Sequence, residues 1–390
     1  MPDWLIAGKV PAVALPRTSP DSVLFTTYNV LDLFLSEGPA GAAHYEQVVA
    51  AIRDLSTDVL AVQEIRGRDA EVVGARLRRL AGDLGMRCLV PVADRGSGAS
   101  GGAGSGRAGG FGGAGSGRAS GAGGAGSGRA GGAGGAGGSE GAAGAGGEPR
   151  PALAMGTRGF HCGLLWRGGI EPVPGSLRTL GRGHFWHSLA TVTLEVGGRQ
   201  VRHAAFHATP FGRLLRADQN ERLVAMLTGP RGSLPLLVGA DWNTESADRV
   251  RDPETGRWVL YEPRDPYAGV PWFDDMLYQC EWDYDERGER QHRADRRPGD
   301  VLWAGGLQDA AAVLRAPWQP TVGHHPYDRY GAAGISRRID AIRVTRHVVD
   351  ALRAYHVTDT ELTRSASDHL PVTVEYDPAA VTPADPSGRP

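Results

Sequence analysis

The segment LPLLVGADWNTES, at residues 234–246, sets the pattern by which the rest of the chain is interpreted. The apolar residues at 236–238 are typical of a buried strand. They lead directly to Asp241 and Asn243. A buried carboxylate is costly unless it is paired or binds a cation. The end of this strand is therefore a candidate functional site.

Other apolar segments end in, or contain, a polar residue in the same way. VLFTTYN, DVLAVQE and VRHAAFH each end in a side chain that can bind a metal ion or a phosphate. RRIDAI has an aspartate within an apolar strand, and SASDHLP places an aspartate and a histidine before the last predicted strand. In an α/β protein such positions indicate one shared site at an edge of the sheets. They are Asn29, Glu64, His207, Asp340, Asp368 and His369.

Several of these side chains offer only oxygen atoms as ligands, and no cysteine lies beside them. Hard oxygen ligands suit Mg²⁺ or Mn²⁺ rather than zinc. The sequence therefore predicts a divalent-metal site. The oxygen-bearing residues are Asn29, Glu64, Asp241 and Asp368.

Asp241 and Asn243 alternate along the chain, so on an extended strand they face one side and Trp242 faces the other. In that arrangement we expect Asp241 to take a proton from water. We expect Asn243 to hold the water or a metal-bound phosphate. Three of the residues also have purely structural alternatives. Asn29 could cap a turn, Glu64 could be a surface residue after a strand, and His207 could be a histidine with structural partners only.

Asp340 is the predicted partner of His369, where it would fix the ring and favour its charged form. The alternative for Asp340 is a structural ion pair with Arg338 or Arg343. Asp368 and His369 are neighbours in sequence, so we expect them to point apart and to serve the metal and the phosphate separately.

Strand and helix patterns alternate along the chain, which indicates an α/β or α+β fold with strands in adjacent packed sheets. The region 245–300 is rich in loops and mixed in charge. The predicted strands lie at 23–29, 58–64, 87–92, 160–166, 189–196, 201–207, 235–241, 339–345 and 371–376, and the predicted helices at 45–55, 73–84 and 213–227.

A low-complexity tract interrupts this pattern at 96–147 and consists almost entirely of Gly, Ala, Ser and Arg. It repeats the octet GGAGSGRA and buries too little apolar surface to fold, which predicts a disordered insertion. Its arginines would contact a polyanion, or the tract is a neutral repeat expansion. We predict one domain at 22–377 around this insertion, an N-terminal extension at 1–21 and a flexible tail at 378–390.

Composition limits the partners and the compartment. The formal net charge is −2, so no overall basic field indicates nucleic-acid binding. The three cysteines are far apart and match no zinc spacing, which favours a reducing compartment. No signal peptide or membrane span is predicted, so we expect a cytoplasmic protein without an obligate protein partner.

A series of motifs resembles the endonuclease/exonuclease/phosphatase superfamily, which includes DNase I-like nucleases, apurinic endonucleases, neutral sphingomyelinases and inositol-polyphosphate 5-phosphatases. They are TYNVLDL, AVQEI, RGFHCGLLW, HAAFHATP, LLVGADWNTE, RRIDAIRV and SDHLPVTVEY, and they cover about residues 22–376 apart from the Gly-rich tract and parts of 245–335. HAAFHATP is most similar to the DNase I branch. The chain departs from the family pattern at Leu31, where some apurinic endonucleases carry an aspartate.

The resemblance implies a four-layered sandwich of two mixed β-sheets flanked by helices. It implies in-line attack by water on a phosphoester, with a metal ion and histidines neutralising the developing charge. The implied metal ligands are Glu64, supported by Asn29 and Asp368. The implied catalytic residues are His207, Asp241, Asn243, Asp340 and His369.

Three functions follow from this resemblance. The first is a nuclease, for which arginine-rich stretches at 287–297 and 337–346 would form a local basic surface or an ordinary solvated face. The second is a phosphatase or phospholipase C-like enzyme that acts on a small phosphoester. The third is a catalytically silent binding protein with the same fold.

Overall fold

The computed structural model describes residues 15–88, 153–154, 159–181, 184–228, 234–325 and 334–384. Two compact units are distinguished, one of Met1–Ala93 with Pro149–Pro390 and one of Asp94–Glu148. All described residues belong to the first unit. The predicted Gly-rich insertion at 96–147 lies outside the described residues, as do 1–14 and 385–390.

Strands and helices alternate along the described chain, as the sequence pattern predicts. The strands are β1 Val23–Leu33, β2 Val59–Arg66, β3 Met86–Cys88, β4 Leu153–Ala154, β5 Phe160–Arg167, β6 Glu171–Pro172, β7 Arg178–Leu180, β8 Leu189–Val196, β9 Arg199–His207, β10 Leu236–Asp241, β11 Arg249–Arg251, β12 Trp258–Leu260, β13 Cys280–Tyr284, β14 Arg290–Ala294, β15 Gln308–Asp309, β16 Asp340–Val344, β17 Leu352–Val357 and β18 Val372–Tyr376. The helices are α1 Gly38–Leu55, α2 Ala70–Leu84, α3 Arg213–Thr228, α4 Met276–Gln279, α5 Arg297–Ala304, α6 Ala310–Leu314, α7 Arg346–Val349 and α8 Glu361–Ala366.

Two seven-stranded mixed sheets form the centre of the fold. The first has the order β17-β18-β1-β2-β5-β3, with β4 also paired to β5. The second has the order β15-β16-β10-β9-β8-β6, with β7 also paired to β8. β1 and β2 are parallel, as are β9 and β10. Each parallel pair is joined through a helix, α1 or α3, because parallel strands need a long crossover connection.

The two sheets pack face to face, and helices cover their outer faces. The core between the sheets contains Phe25 and Ala61 from the first sheet and Ala205 and Leu237 from the second. A second apolar cluster joins the first sheet to α1 and α2, and a third joins the other sheet to α3 and α5. The result is a four-layered α/β/β/α sandwich, which confirms the predicted fold class.

Gly239 permits the close approach of the two sheets at β10. A Cβ atom at this position would lie 2.8 Å from the Cβ of Thr27 and 3.1 Å from the Cβ of Ala61. Both neighbours belong to the opposite sheet. The glycine in the LPLLVGADWNTES segment is therefore required by packing between the sheets.

The strand registers bring the predicted polar ends together. Asn29 pairs with Gln63 across β1 and β2, so Glu64 is the next residue along β2. Asp241 pairs with His207 on one side and with Asp340 on the other. Because the carboxyl ends of parallel strands meet at one edge of a sheet, each sheet presents its polar ends together.

Several elements were not anticipated from the sequence. The loop-rich region 245–300 contains two short hairpins, β11–β12 and β13–β14, and β17 is an additional edge strand of the first sheet. The chain also remains packed beyond residue 377, since Pro378–Ala380 form a 3₁₀ turn and Val381 is buried in the core between the sheets. Residues 378–381 therefore do not belong to the flexible tail predicted at 378–390, which stays a prediction for the residues beyond 384. Within the described part of the chain, none of the helices combines the length and apolar character needed to cross a membrane.

Candidate active site

The backbone turns sharply at two of the strand ends. Glu64 has φ of 67° and Asn243 has φ of 50°, both in the left-handed region that is uncommon outside glycine. The pairing of β2 with β5 shifts register between Val62 and Ile65, which places Glu64 in a bulge. Bulges re-aim side chains, and strained backbone of this kind is concentrated at functional sites.

The Asn29 amide connects the two sheets at the centre of the site. Its Nδ2 lies 3.1 Å from Oε1 of Glu64 and 3.1 Å from Oδ2 of Asp241, and donates to both carboxylates. Nε2 of His369 lies 3.4 Å from the same nitrogen. Its Oδ1 accepts a hydrogen bond from the backbone N–H of Leu31 at 3.2 Å, which fixes the amide orientation. The turn-cap role is thus present, but the side chain also joins the predicted site residues.

His369 is held by Asp340. Nδ1 of His369 lies 2.8 Å from Oδ2 of Asp340, and its Nε2 lies 3.8 Å from Oδ2 of Asp241. Burial opposes a charge on His369, but Asp340, Asp241 and Asp368 together raise its pKa well above the usual value. His369 is therefore a buried cation at neutral pH.

Asp241 is the carboxylate that the two histidines share. Its Oδ2 lies 3.3 Å from Nε2 of His207, and its Oδ1 accepts the backbone N–H of Asn243 at 2.9 Å. Burial would raise the pKa of Asp241, but His369 and His207 outweigh it and lower that pKa below its usual range. Burial likewise opposes the charge on His207, yet the hydrogen bond that its ring donates to Asp241 raises its pKa. Asp241 is therefore ionised.

Asp241 and Asn243 line one cleft while Trp242 packs in the outer core of the second sheet, as the alternation predicts. The prediction assumed that Asp241 and Asn243 both lie on an extended strand. Instead, β10 ends at Asp241, and Asn243 has a left-handed backbone conformation. Its Nδ2 donates to the carbonyl of Ala208 at 3.0 Å. The prediction that Asp368 and His369 point apart was wrong, because both line the same cleft, with Oδ1 of Asp368 3.9 Å from Nε2 of His369. Their separate roles toward a metal and a phosphate stay a prediction.

The neighbouring arginines serve the scaffold rather than Asp340. Arg338 is buried in ion pairs with Glu262 and Asp309, and Arg343 pairs with Asp248 at 2.8 Å. Within 337–346, Arg338 and Arg343 therefore do not contribute to the basic surface considered from the sequence, whereas Arg337 lines the cleft.

The other arginine-rich stretch, 287–297, lies on the exposed β13–β14 hairpin and the start of α5. Acidic residues alternate with its arginines, and Arg293 is paired with Glu281 at 2.8 Å. This stretch is a solvated face of mixed charge.

The donor set fits a divalent cation. Burial raises the pKa of Glu64 and the negative field of Asp368 adds to it, so a bound cation would relieve both. The ligand atoms of Asp241, Asp340 and His369 also lie within 4.8 Å of one another, a cluster compatible with metal binding. A protonated His369 cannot coordinate a cation, because metal ligands must be deprotonated. Glu64 and Asp368 must also be deprotonated to coordinate, and a bound cation would itself favour their ionised forms.

A cleft of about 370 Å³ opens over these groups. One part of its wall is formed by the predicted residues Glu64, His207, Asp241, Asn243, Asp368 and His369. Another part is aromatic and was not predicted from the sequence; it contains Phe160, Trp186, His187 and Phe211.

Strand direction was the signal that could have revealed this part of the wall. β8 runs antiparallel to β9, so the residues just before β8 lie beside the end of β9 at His207. A search confined to residues that follow strands misses them.

No protein-family profile matches the chain. No curated protein matches it either. The chain is similar to solved structures of the endonuclease/exonuclease/phosphatase family. One is a family member from Bacteroides thetaiotaomicron, with 12% identity and a TM-score of 0.48, covering 92% of this chain and 98% of that one. An AP endonuclease from Archaeoglobus fulgidus has 14% identity and a TM-score of 0.49, covering 91% and 99%.

A 3′ phosphatase from Neisseria, bound to a product DNA hairpin, has 17% identity and a TM-score of 0.46, covering 91% of this chain and 99% of that one. The Bacteroides thetaiotaomicron structure carries the name of the family that the motifs resemble.

Proposed function

We propose that the chain is a divalent-metal-dependent phosphoesterase that hydrolyses phosphodiester bonds by in-line attack of water. The observation that carries this proposal is the position of the Asn29 amide, which is within hydrogen-bond distance of Glu64 and Asp241 and 3.4 Å from His369. Carboxylates for a cation and a charged imidazole for a phosphate thus face one cleft. A catalytically silent binding protein has no need of this arrangement, because left-handed backbone at non-glycine residues and buried charges both destabilise the folded state.

The cation would be held by Glu64 and Asp368, the carboxylates on the first-sheet side of the cleft. Asn29, expected from the resemblance to support the metal, would act through Glu64, because its Nδ2 donates to Glu64 while its Oδ1 accepts the N–H of Leu31. Mg²⁺ and Mn²⁺ suit these ligands, since none of them is sulfur. When bound, the ion would neutralise charge on the phosphoryl oxygens.

The protein groups divide the remaining chemistry. Asp241 is ionised and lines the cleft, so it accepts a proton from the attacking water. His369 carries a positive charge, and Asp340 fixes its ring so that Nε2 is directed into the site and donates to a phosphoryl oxygen. His207 supplies a second donor beside Asp241. Asn243 orients the phosphate from the end of β10.

Nucleic acid is the leading substrate class. The aromatic part of the cleft wall supports it, because bases stack on aromatic side chains. Arg337 also lines the cleft and adds positive charge for a phosphate-bearing substrate.

A small phosphoester is the second candidate. The cleft volume of about 370 Å³ suits a small molecule. The burial of Arg338 and Arg343 in ion pairs removes much of the basic surface that a long polyanion would need.

The test is hydrolysis by the purified protein in Mg²⁺, with plasmid DNA, RNA, bis-(p-nitrophenyl) phosphate and a phosphomonoester panel measured side by side. EDTA is the control for metal dependence. Cleavage of plasmid or RNA that EDTA abolishes supports a nuclease. Turnover of small phosphoesters with intact nucleic acid assigns the second candidate. Inactivity on every substrate contradicts the proposed hydrolase.

A further inference from the structure

His187 is a buried histidine beside the predicted site that none of the roles above uses. It precedes β8 and lies next to the end of β9. Ser188 fixes this segment, because its carbonyl accepts the N–H of His207 at 3.3 Å and its Oγ accepts the N–H of Cys162 at 3.0 Å. The backbone of His187 is therefore tied to strands of both sheets.

The plane of the His187 ring is fixed by its neighbours. It stacks on the ring of His207 with centroids 4.0 Å apart and planes inclined by 16°. Phe160 contacts it edge-on, with centroids 5.2 Å apart. The ring cannot turn away from the cleft without breaking both contacts.

Neither ring nitrogen of His187 has a hydrogen-bond partner within the described chain, although the residue is only 3% exposed. Buried polar atoms normally have a partner. His187 also lines the cleft. A molecule bound in the cleft is the available source of the missing hydrogen bonds.

The stack determines which ring is charged. Two imidazole rings with centroids 4.0 Å apart do not both carry a positive charge, because like charges at this distance repel. His207 lies 3.3 Å from Asp241, which favours its charge. Burial lowers the pKa of His187 well below the usual value, and His207 lowers it further. His187 therefore offers one N–H donor and one acceptor nitrogen without a charge.

We propose that His187 is a substrate-contacting residue, whose ring N–H donates a hydrogen bond to an oxygen of the phosphate group bound beside His207. This inference rests on the proposed phosphoesterase function. It assigns the histidine pair a division of roles, in which His207 supplies a charged donor and His187 a neutral one.

The test measures the affinity of the Mg²⁺-loaded full chain for inorganic phosphate by calorimetry. His187→Phe keeps an aromatic ring for the stack and removes both nitrogens. His203→Phe is the matched control, because His203 is also buried but bonds Val201 at 3.2 Å and Tyr376 at 3.1 Å, away from the cleft. Melting temperatures are measured for all variants, and His187→Leu is a second variant in case His187→Phe does not fold.

The expected result is phosphate binding that is about tenfold weaker in His187→Phe and His187→Leu, and within twofold of wild type in His203→Phe. Equal phosphate affinity in wild type and His187→Phe overturns the inference, and so does a wild type that binds no phosphate. The proposed function is tested separately by turnover. If phosphate binding depends on His187 but no substrate is hydrolysed, the contact between His187 and phosphate is supported and the proposed phosphoesterase function is contradicted.

Discussion

At the scale of single residues, the site depends on carboxylates whose neighbours assign them different tasks. Asp241 is surrounded by His207 and His369, which keep it ionised despite burial. Among the described residues, Glu64 has no such cation within hydrogen-bond distance and is held by the Asn29 amide and the backbone N–H of Asp32. Under the proposed function, the same side-chain chemistry would serve as a proton acceptor at Asp241 and as a metal ligand at Glu64.

We propose that Asp340 is a positioning residue that acts through His369, with which it forms a 2.8 Å ion pair. Asp340→Asn removes the charge that keeps the ring protonated and oriented, at nearly constant volume. We expect kcat to fall by about 10²–10⁴-fold with little change in KM. Steady-state kinetics checks this, with the surface variant Asp377→Asn as the control. A similar fall in kcat in both variants, or an unchanged kcat in Asp340→Asn, contradicts this role for Asp340.

Glu64→Gln tests the metal site independently of turnover. The amide keeps the shape of the side chain but removes the negative charge that would attract a cation. We expect Mn²⁺ affinity to fall by at least about tenfold. Titration with Mn²⁺ by calorimetry measures it, and Glu171→Gln, on an exposed carboxylate, is the control. Equal Mn²⁺ affinity in wild type and Glu64→Gln would place the metal elsewhere.

At the scale of secondary-structure elements, the site is a product of strand direction. One parallel pair in each sheet brings polar residues together: the regular register of β1 and β2 stops at Asn29 and Gln63, beside Glu64, and that of β9 and β10 ends at His207 and Asp241. Face-to-face packing then brings the two groups together, with Gly239 at a point of close approach between the sheets.

Gly239→Ala is therefore expected to destabilise the fold. The added methyl would lie within 3.1 Å of atoms in the opposite sheet, and overpacking of this kind costs about 1–3 kcal/mol. Gly82→Ala is the matched substitution, because Gly82 lies within α2 with no atom near its added Cβ. That variant is expected to gain about 0.5–1 kcal/mol from helix propensity. Urea unfolding distinguishes them, and equal stability of the two variants would exclude a tight sheet interface at Gly239.

Much of this arrangement was predictable from local sequence signals. Apolar runs that end in Asn29, Glu64, His207 and Asp241 identify the strands and their functional ends. β17 was missed because its sequence, LRAYHV, places an arginine and a histidine in an edge strand that lacks an uninterrupted apolar run. The left-handed turn at Asn243 and the position of His187 were missed for another reason. They depend on tertiary packing and antiparallel pairing, which no short segment specifies.

At the scale of the whole molecule, a buried carboxyl group links stability to pH. Burial raises the pKa of Glu245 to about 8, and the nearby Glu262 adds to the shift. The folded state therefore binds a proton that the unfolded state releases near the usual glutamate pKa of 4.5. Stability is fully present below that value and is lost as pH rises toward about 8.

Glu245→Gln should remove this dependence, since glutamine remains neutral throughout. We compare the free energy of unfolding of Glu245→Gln with that of wild type. Between pH 5 and 8, we expect the variant to become more stable relative to wild type by about 1.4 kcal/mol for each pH unit. Urea unfolding at several pH values measures it. A difference that stays constant with pH would show that Glu245 is ionised in the folded protein.

The central claim is that Asp241 activates water for attack on a phosphoester beside a bound metal ion. The most direct measurement is Mg²⁺-dependent hydrolysis of bis-(p-nitrophenyl) phosphate by wild type and by Asp241→Asn. The melting temperatures of both proteins are measured to establish that both are folded under the assay conditions. The account predicts turnover by wild type that EDTA abolishes, and a rate at least about 100-fold lower in Asp241→Asn. Equal rates for the two proteins would contradict it.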